Sequence, residues 1–231
     1  MLVYGRNVAK EILRSNKKVK KVMIQRDFNE KEIISLIEKR NLNYTYLDKK
    51  ELAKFEKYSH QGIILDIEDF VYSKLEEIDF DENSVIVILD HLEDPHNLGA
   101  IIRTCEAAGI DCIIIPKDRS VSINSTVMKT SVGALERVKV VMVTNLNNTV
   151  ARLKKDGFWI VGTDMIGTDY RKIDYSGKIA LIIGNEGNGM SKSITDSCDF
   201  IAQIPMYGKI NSLNASVAAG IVIYEAVRLK R

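Results

Sequence analysis

Six short stretches in the second part of the chain are almost wholly apolar: VIVILD (85–90), CIIIP (112–116), VKVVMV (138–143), FWIVGT (158–163), IALIIG (179–184) and FIAQIP (200–205). A strand with one wet face alternates apolar and polar residues, whereas unbroken apolar runs of this length suit strands buried on both faces. Apolar residues at helical spacing separate most of the runs, at 98–108, at 146–155 and over a long final stretch from about 211 to 228. Strands alternating with helices predict an α/β domain with a mainly parallel sheet, and such sheets hold ligands at the carboxyl ends of their strands. The final helix is expected to close on Arg228, Lys230 and Arg231, charges that complement its dipole.

The first 70 residues use shorter units. Val8, Ile12 and Leu13 share helical spacing over 7–13, VKKVMIQ (19–25) is rich in β-formers, and Ile33, Ile34 and Ile37 mark one face of a helix over 30–40. A short strand at 44–47, a short helix at 49–55 and a strand at 62–67 complete a small α/β domain over 1–70. An acidic linker is expected over 71–84, where Glu76, Glu77, Asp79, Asp81 and Glu82 face only Lys74, and a second domain over 85–231. The net charge of +2 is unevenly spread. Residues 1–26 carry Arg6, Lys10, Arg14, Lys17, Lys18, Lys20, Lys21 and Arg26 against Glu11 alone. Such a face can neutralise nucleic-acid phosphates, or be a solvated surface balanced elsewhere.

At 45% hydrophobic and 28% charged residues the chain has enough apolar surface to exclude extensive disorder. No apolar run approaches the ~18 residues of a membrane span, and MLVYGRNVAKEILRSNKK has no signal-peptide core. Cys105, Cys112 and Cys198, without CxxC spacing, read as packed, reduced thiols of a cytoplasmic protein. The chain lacks GxxxxGK[ST], a GxGxxG after its first long strand, HExxH and GxSxG. P-loop, dinucleotide, zinc-protease and serine-hydrolase chemistries are therefore set aside. No metal site is expected, and His60, His91 and His96 read as structural or surface polar residues.

Three polar clusters follow apolar strands. In DHLEDPHNLGAIIR (90–103), Pro95 biases Asp94 away from helix, so a helix can begin near Asn97, with Arg103 on a neighbouring face. In GNEGNGMS (184–191), three glycines let backbone N–H groups approach a ligand, and Glu186 fixes a carboxylate among them. In IPMYGKINSLNAS (204–216), Asn211, Ser212, Asn214 and Ser216 exceed what a single N-cap requires. Each cluster alone could be a capped helix start or a turn.

Taken in order and spacing, the three clusters resemble the motifs of the SpoU/TrmH branch of the SPOUT methyltransferases: N-x5-R, GNEGNGMS, and IPMYGKINSLNASVAAGI. YGRNVAKEIL at the start and HQGI near residue 60 resemble an L30e-like RNA-binding domain, so the likeness spans nearly the whole chain. It is closest to the 23S rRNA (guanosine-2′-O-)-methyltransferase, RlmB-like, subgroup. The resemblance implies a catalytic domain with a C-terminal trefoil knot, S-adenosylmethionine as methyl donor, a homodimer, and RNA bound through the N-terminal domain. By motif position it implies Asn97, Arg103, Glu186, Ser212 and Asn214 in the active site, with Gly184, Ile204, Leu213 and Thr163 contacting S-adenosylmethionine. Asn185 and Tyr207 fall where the family varies.

The implied reaction moves a methyl group onto a ribose 2′-hydroxyl. A guanidinium is a poor base, so Arg103 is expected to hold a phosphate and stabilise developing charge, oriented by Glu186 or Asn97. Methylation of tRNA ribose is the rival within the fold, and a non-catalytic ribosome-associated RNA-binding protein the rival outside it.

Overall fold

The computed structural model describes residues 1–55, 59–228 and 230. In chain order the elements are β1 (Leu2–Tyr4), α1 (Arg6–Arg14), β2 (Val19–Gln25), α2 (Lys31–Lys39), β3 (Tyr44–Leu47), α3 (Lys49–Ala53), β4 (Ile63–Ile67), β5 (Val85–Leu89), α4 (Pro95–Ala108), β6 (Cys112–Pro116), α5 (Ser125–Ser131), β7 (Lys139–Val143), α6 (Leu146–Lys155), β8 (Phe158–Asp169), β9 (Lys178–Ile183), α7 (Lys192–Thr195), β10 (Phe200–Gln203) and α8 (Ala215–Val227). They form two compact units, Met1–Val71 with Ile123–Gly133, and Tyr72–Ser122 with Ala134–Arg231.

The first unit is a four-stranded sheet in the order β1-β4-β2-β3, parallel only between β2 and β3. Val8, Ile12 and Leu13 of α1 and Ile33 and Ile37 of α2 are buried, as their spacing predicts. No local pattern marks α5, from the middle of the chain, as part of this unit, yet it belongs there, with Val127 and Met128 buried. The basic stretch is balanced in part within the unit. Lys10 Nζ lies 2.7 Å from Glu32 and 3.3 Å from Glu30, Arg6 pairs with Glu30, Arg14 with Glu32, and Lys18 with Glu68. Lys20, Lys21 and Arg26 are exposed and make no ion pair among the described residues.

The second unit is a six-stranded, wholly parallel sheet in the order β10-β8-β9-β5-β6-β7. Its central strands are buried on both faces, which is why their sequences do not alternate. Ile86, Ile88, Ile114, Ala180 and Ile182 join Leu146, Val150 and Leu153 of α6 in one core. On α4 and α8, which pack together, Ile101, Ile102, Ala219, Val222 and Ile223 are buried. The stretch 71–84 is more than a linker: Leu75 and Ile78 belong to the same core as β5, and Ser73 pairs with Val141.

Two ends differ from expectation. β8 runs on to Asp169, because β10 pairs first with Val161 and Gly162 and, after a register shift, with Thr168 and Asp169. α8 begins at Ala215 rather than near 211, since Asn214 is its N-cap. Arg231 lies outside the described residues.

Candidate active site

The polar residues at the sheet's carboxyl edge are brought together from distant parts of the chain. β5 ends at Leu89, and α4 begins at Pro95 with Asp94 as N-cap, its Oδ1 accepting from the His96 N–H at 2.8 Å. With the cap supplied by Asp94, the Asn97 side chain is released from that duty and lies buried, 6% exposed. Asn97 Nδ2 donates to Glu186 Oε1 at 2.8 Å, and Asn97 Oδ1 accepts from Asn214 Nδ2 at 2.9 Å. Asn214 Oδ1 in turn accepts from the Ser216 N–H at 2.9 Å and from Ser216 Oγ at 2.6 Å. A carboxylate at one end and a backbone N–H at the other fix the direction of both amides. Two side-chain bonds thus join all three clusters.

Glu186 stands on the rim of a cavity of about 330 Å³, within the range of small-molecule sites. Thr163, Gly184, Ile204, Ser212 and Leu213 line it as well. Thr163 is anchored by its hydroxyl, which donates to the Ile182 carbonyl at 3.0 Å. Gly184 is required by close approach: a Cβ there would sit 2.4 Å from the Gly189 carbonyl carbon and 2.5 Å from the Met190 nitrogen. The residues 204–214 stay out of helix and give the cavity Ile204, Met206, Asn211, Ser212 and Leu213.

The family model described as the SpoU rRNA Methylase family matches residues 84–224, and that described as RNA 2'-O ribose methyltransferase substrate binding matches residues 2–73. This chain belongs to the SpoU methylase family. A Bacillus subtilis protein named for the TrmH family of tRNA/rRNA methyltransferases, YacO, is 39% identical over 98% of this chain and 94% of its own. The SpoU methyltransferase AviRb of Streptomyces viridochromogenes, solved in complex with the cofactor AdoMet, superposes with a TM-score of 0.83 at 25% identity, covering 100% of this chain and 90% of that one. An AdoMet-bound rRNA methyltransferase from Sinorhizobium meliloti gives a TM-score of 0.80 at 26% identity, over 99% and 87% of the two chains.

In this SpoU methylase the expected site residues fall into three groups. Asn97, Glu186 and Asn214 form the hydrogen-bonded relay, while Gly184, Thr163, Ile204, Ser212 and Leu213 line the cavity together with Glu186. Arg103 stands apart. It is exposed and has no hydrogen bond or ion pair among the described residues, so the expected orientation by Glu186 or Asn97 is not present: their bonds go to each other. The sequence also failed to single out Asp164, which lines the cavity because β8 continues past Thr163, or the buried Asp90. An acid directly after an apolar strand was the available signal for Asp90.

The charged residues lining the cavity, Asp164 and Glu186, are both acidic. With apolar Ile183, Ile204 and Leu213 on the same wall, this donor set fits a small cationic molecule with an apolar part. It disfavours a free phosphate.

Proposed function

We propose that this SpoU methylase transfers a methyl group from S-adenosylmethionine to the ribose 2′-hydroxyl of a guanosine in 23S rRNA. The observation that carries the proposal is the Glu186–Asn97–Asn214 relay at the rim of an acidic cavity. When bound, S-adenosylmethionine supplies an electrophilic methyl group on a sulfonium centre. Thr163, Gly184, Ile204 and Leu213 are the residues that would hold it, and Glu186 and Asp164 complement its positive charge. Asn97 fixes one oxygen of Glu186; the other makes no hydrogen bond among the described residues and is available to orient the hydroxyl or take its proton. Asn214 fixes Asn97, and Ser212 adds a hydroxyl on the cavity wall. Arg103, exposed and without an ion pair among the described residues, is placed to hold a phosphate of the RNA and to stabilise charge developing on the ribose oxygen. Bringing hydroxyl and methyl group to ~3–3.5 Å in line is worth several kcal/mol by positioning alone.

The remaining parts of this reading are a C-terminal trefoil knot, a homodimer in the cytoplasm, and RNA selection by an L30e-like domain over 1–70. The route from edge strand β10 back to α8, packed against α4 and β9, suits a threaded C-terminus. Exposed Ile166, Tyr207, Ile210 and Tyr224 suit a surface covered by a second copy. Lys20, Lys21 and Arg26 suit contact with RNA phosphates. The name of the B. subtilis relative covers tRNA as well as rRNA, so tRNA is the second reading. Tritium transfer from labelled S-adenosylmethionine to unmethylated 23S rRNA, bulk tRNA and a no-RNA control, followed by nucleoside digestion, decides between them. Label in 2′-O-methylguanosine from 23S rRNA alone is the expected result; label in tRNA alone overturns it.

A further inference from the structure

Asp90 carries a carboxylate that is only 1% exposed, and among the described residues no hydrogen bond joins it to the relay. Its Oδ2 accepts from the Ser191 N–H at 2.7 Å, at the far end of the glycine-rich segment 184–191, and its Oδ1 lies 2.6 Å from His91 Nδ1. His91 has a φ of +58°, a left-handed conformation that a residue with a Cβ keeps only where its surroundings over-determine it. In that conformation the His91 carbonyl accepts from Asn185 Nδ2 at 2.7 Å, at the near end of the same segment. Asn185 Oδ1 turns the other way and accepts from the Gly187 N–H at 2.8 Å and the Asn188 N–H at 3.3 Å. A reciprocal backbone pair, Asn185 N–H to the Gly189 carbonyl and Gly189 N–H to the Asn185 carbonyl, closes the turn.

We infer that Asn185 is a positioning residue: it latches the cavity segment to His91 and holds it in its ligand-ready shape before any ligand arrives. This rests on the reading of the cavity as the S-adenosylmethionine site. Glycines give the segment its close approach to the strand but also a large number of alternative conformations. One side chain that donates to a fixed carbonyl and accepts from two N–H groups inside the turn removes most of them. Glu186 lies between the latched residue and those two N–H groups, so the same latch sets where its carboxylate meets Asn97. A ligand that binds a segment competent only part of the time loses affinity in proportion to that fraction.

The test is calorimetric titration of S-adenosylmethionine into the full chain and into Asn185→Ala, with steady-state methylation of RNA alongside. We expect Kd to rise about tenfold in the variant, as for a competent fraction near one tenth. KM for S-adenosylmethionine should rise by more than kcat falls at saturating cofactor, because bound cofactor restores the segment. Kd within twofold of the unmodified chain overturns the inference. Absence of binding by the unmodified chain overturns the reading of the cavity instead. Independently of folding of the variant and of any cofactor, amide hydrogen exchange on the unmodified, ligand-free chain reads whether the Asn185 side chain already holds the turn. Protection of the Gly187 and Asn188 N–H groups, which donate to Asn185 Oδ1, is expected, and exchange there at the rate of an unstructured peptide overturns the latch.

Discussion

Both ends of the Asn97 amide are engaged: its nitrogen donates to Glu186 and its oxygen accepts from Asn214. Replacing it by alanine leaves Glu186 and Asn214 without the side chain that orients them, and methyl transfer should fall about 10²-fold or more, the scale for losing one oriented polar group. Asn97→Asp should be worse than Asn97→Ala, because it sets a second carboxylate against Glu186 where a donor stood; single-turnover methylation of the cognate RNA checks the order. Arg103→Lys keeps the charge but loses the planar fork, so kcat/KM for RNA should drop at least tenfold if the guanidinium grips a phosphate as proposed. Turnover equal to that of the unmodified chain would show that a point charge suffices. The thiols behave as packed residues. Burial pushes Cys105 far above its usual range, Cys112 up to about 12 and Cys198 up to about 11. The thiolate is the reactive form, so iodoacetamide at neutral pH should leave Cys105 and Cys112 unmodified in the native chain.

At the scale of elements, the sequence pattern found the buried strands and most helices because each carries its own periodicity. It misplaced the start of α8 because 211–214 reads equally well as a polar first turn, and only the capping bond of Asn214 decides. The extension of β8 and the partnership of α5 are set by neighbours that no local pattern names. The candidate site was legible as three clusters in order; that Glu186 would meet Asn97 rather than Arg103 was not, since it depends on a contact across 89 positions. Asn214 has two separable duties. Asn214→Ser keeps an N-cap, so stability should change by only a few tenths of a kcal/mol, while the bond to Asn97 is lost and activity falls. A thermal melt beside a methylation assay separates the two. Gly184→Ala should lower both stability and cofactor affinity, since its Cβ meets backbone rather than a movable side chain.

At the scale of the whole molecule, the basic excess near the N-terminus is smaller in effect than in count. Arg6, Lys10, Arg14 and Lys18 already have acidic partners, whereas Lys20, Lys21 and Arg26 have none among the described residues. Neutralising those three together should weaken RNA binding and flatten its salt dependence by up to ~3 units of log–log slope, with cofactor binding unaffected; filter binding across a salt series reads it. Substitution is preferable to removing residues 1–70, because α5 buries Val127 and Met128 within the unit that such a cut would take away.

The bond between Asn97 and Asn214 spans 117 positions, and α8 follows it. On a ribosome, therefore, the sheet, the glycine turn and Arg103 are all synthesised before the relay can close. A nascent chain lacking its last helix has most of the walls of the site and the residues that pair Asn97 with Glu186, but nothing yet holds Asn97 from the other side, so full methylation activity should begin only after translation has passed residue 214 and α8 has docked.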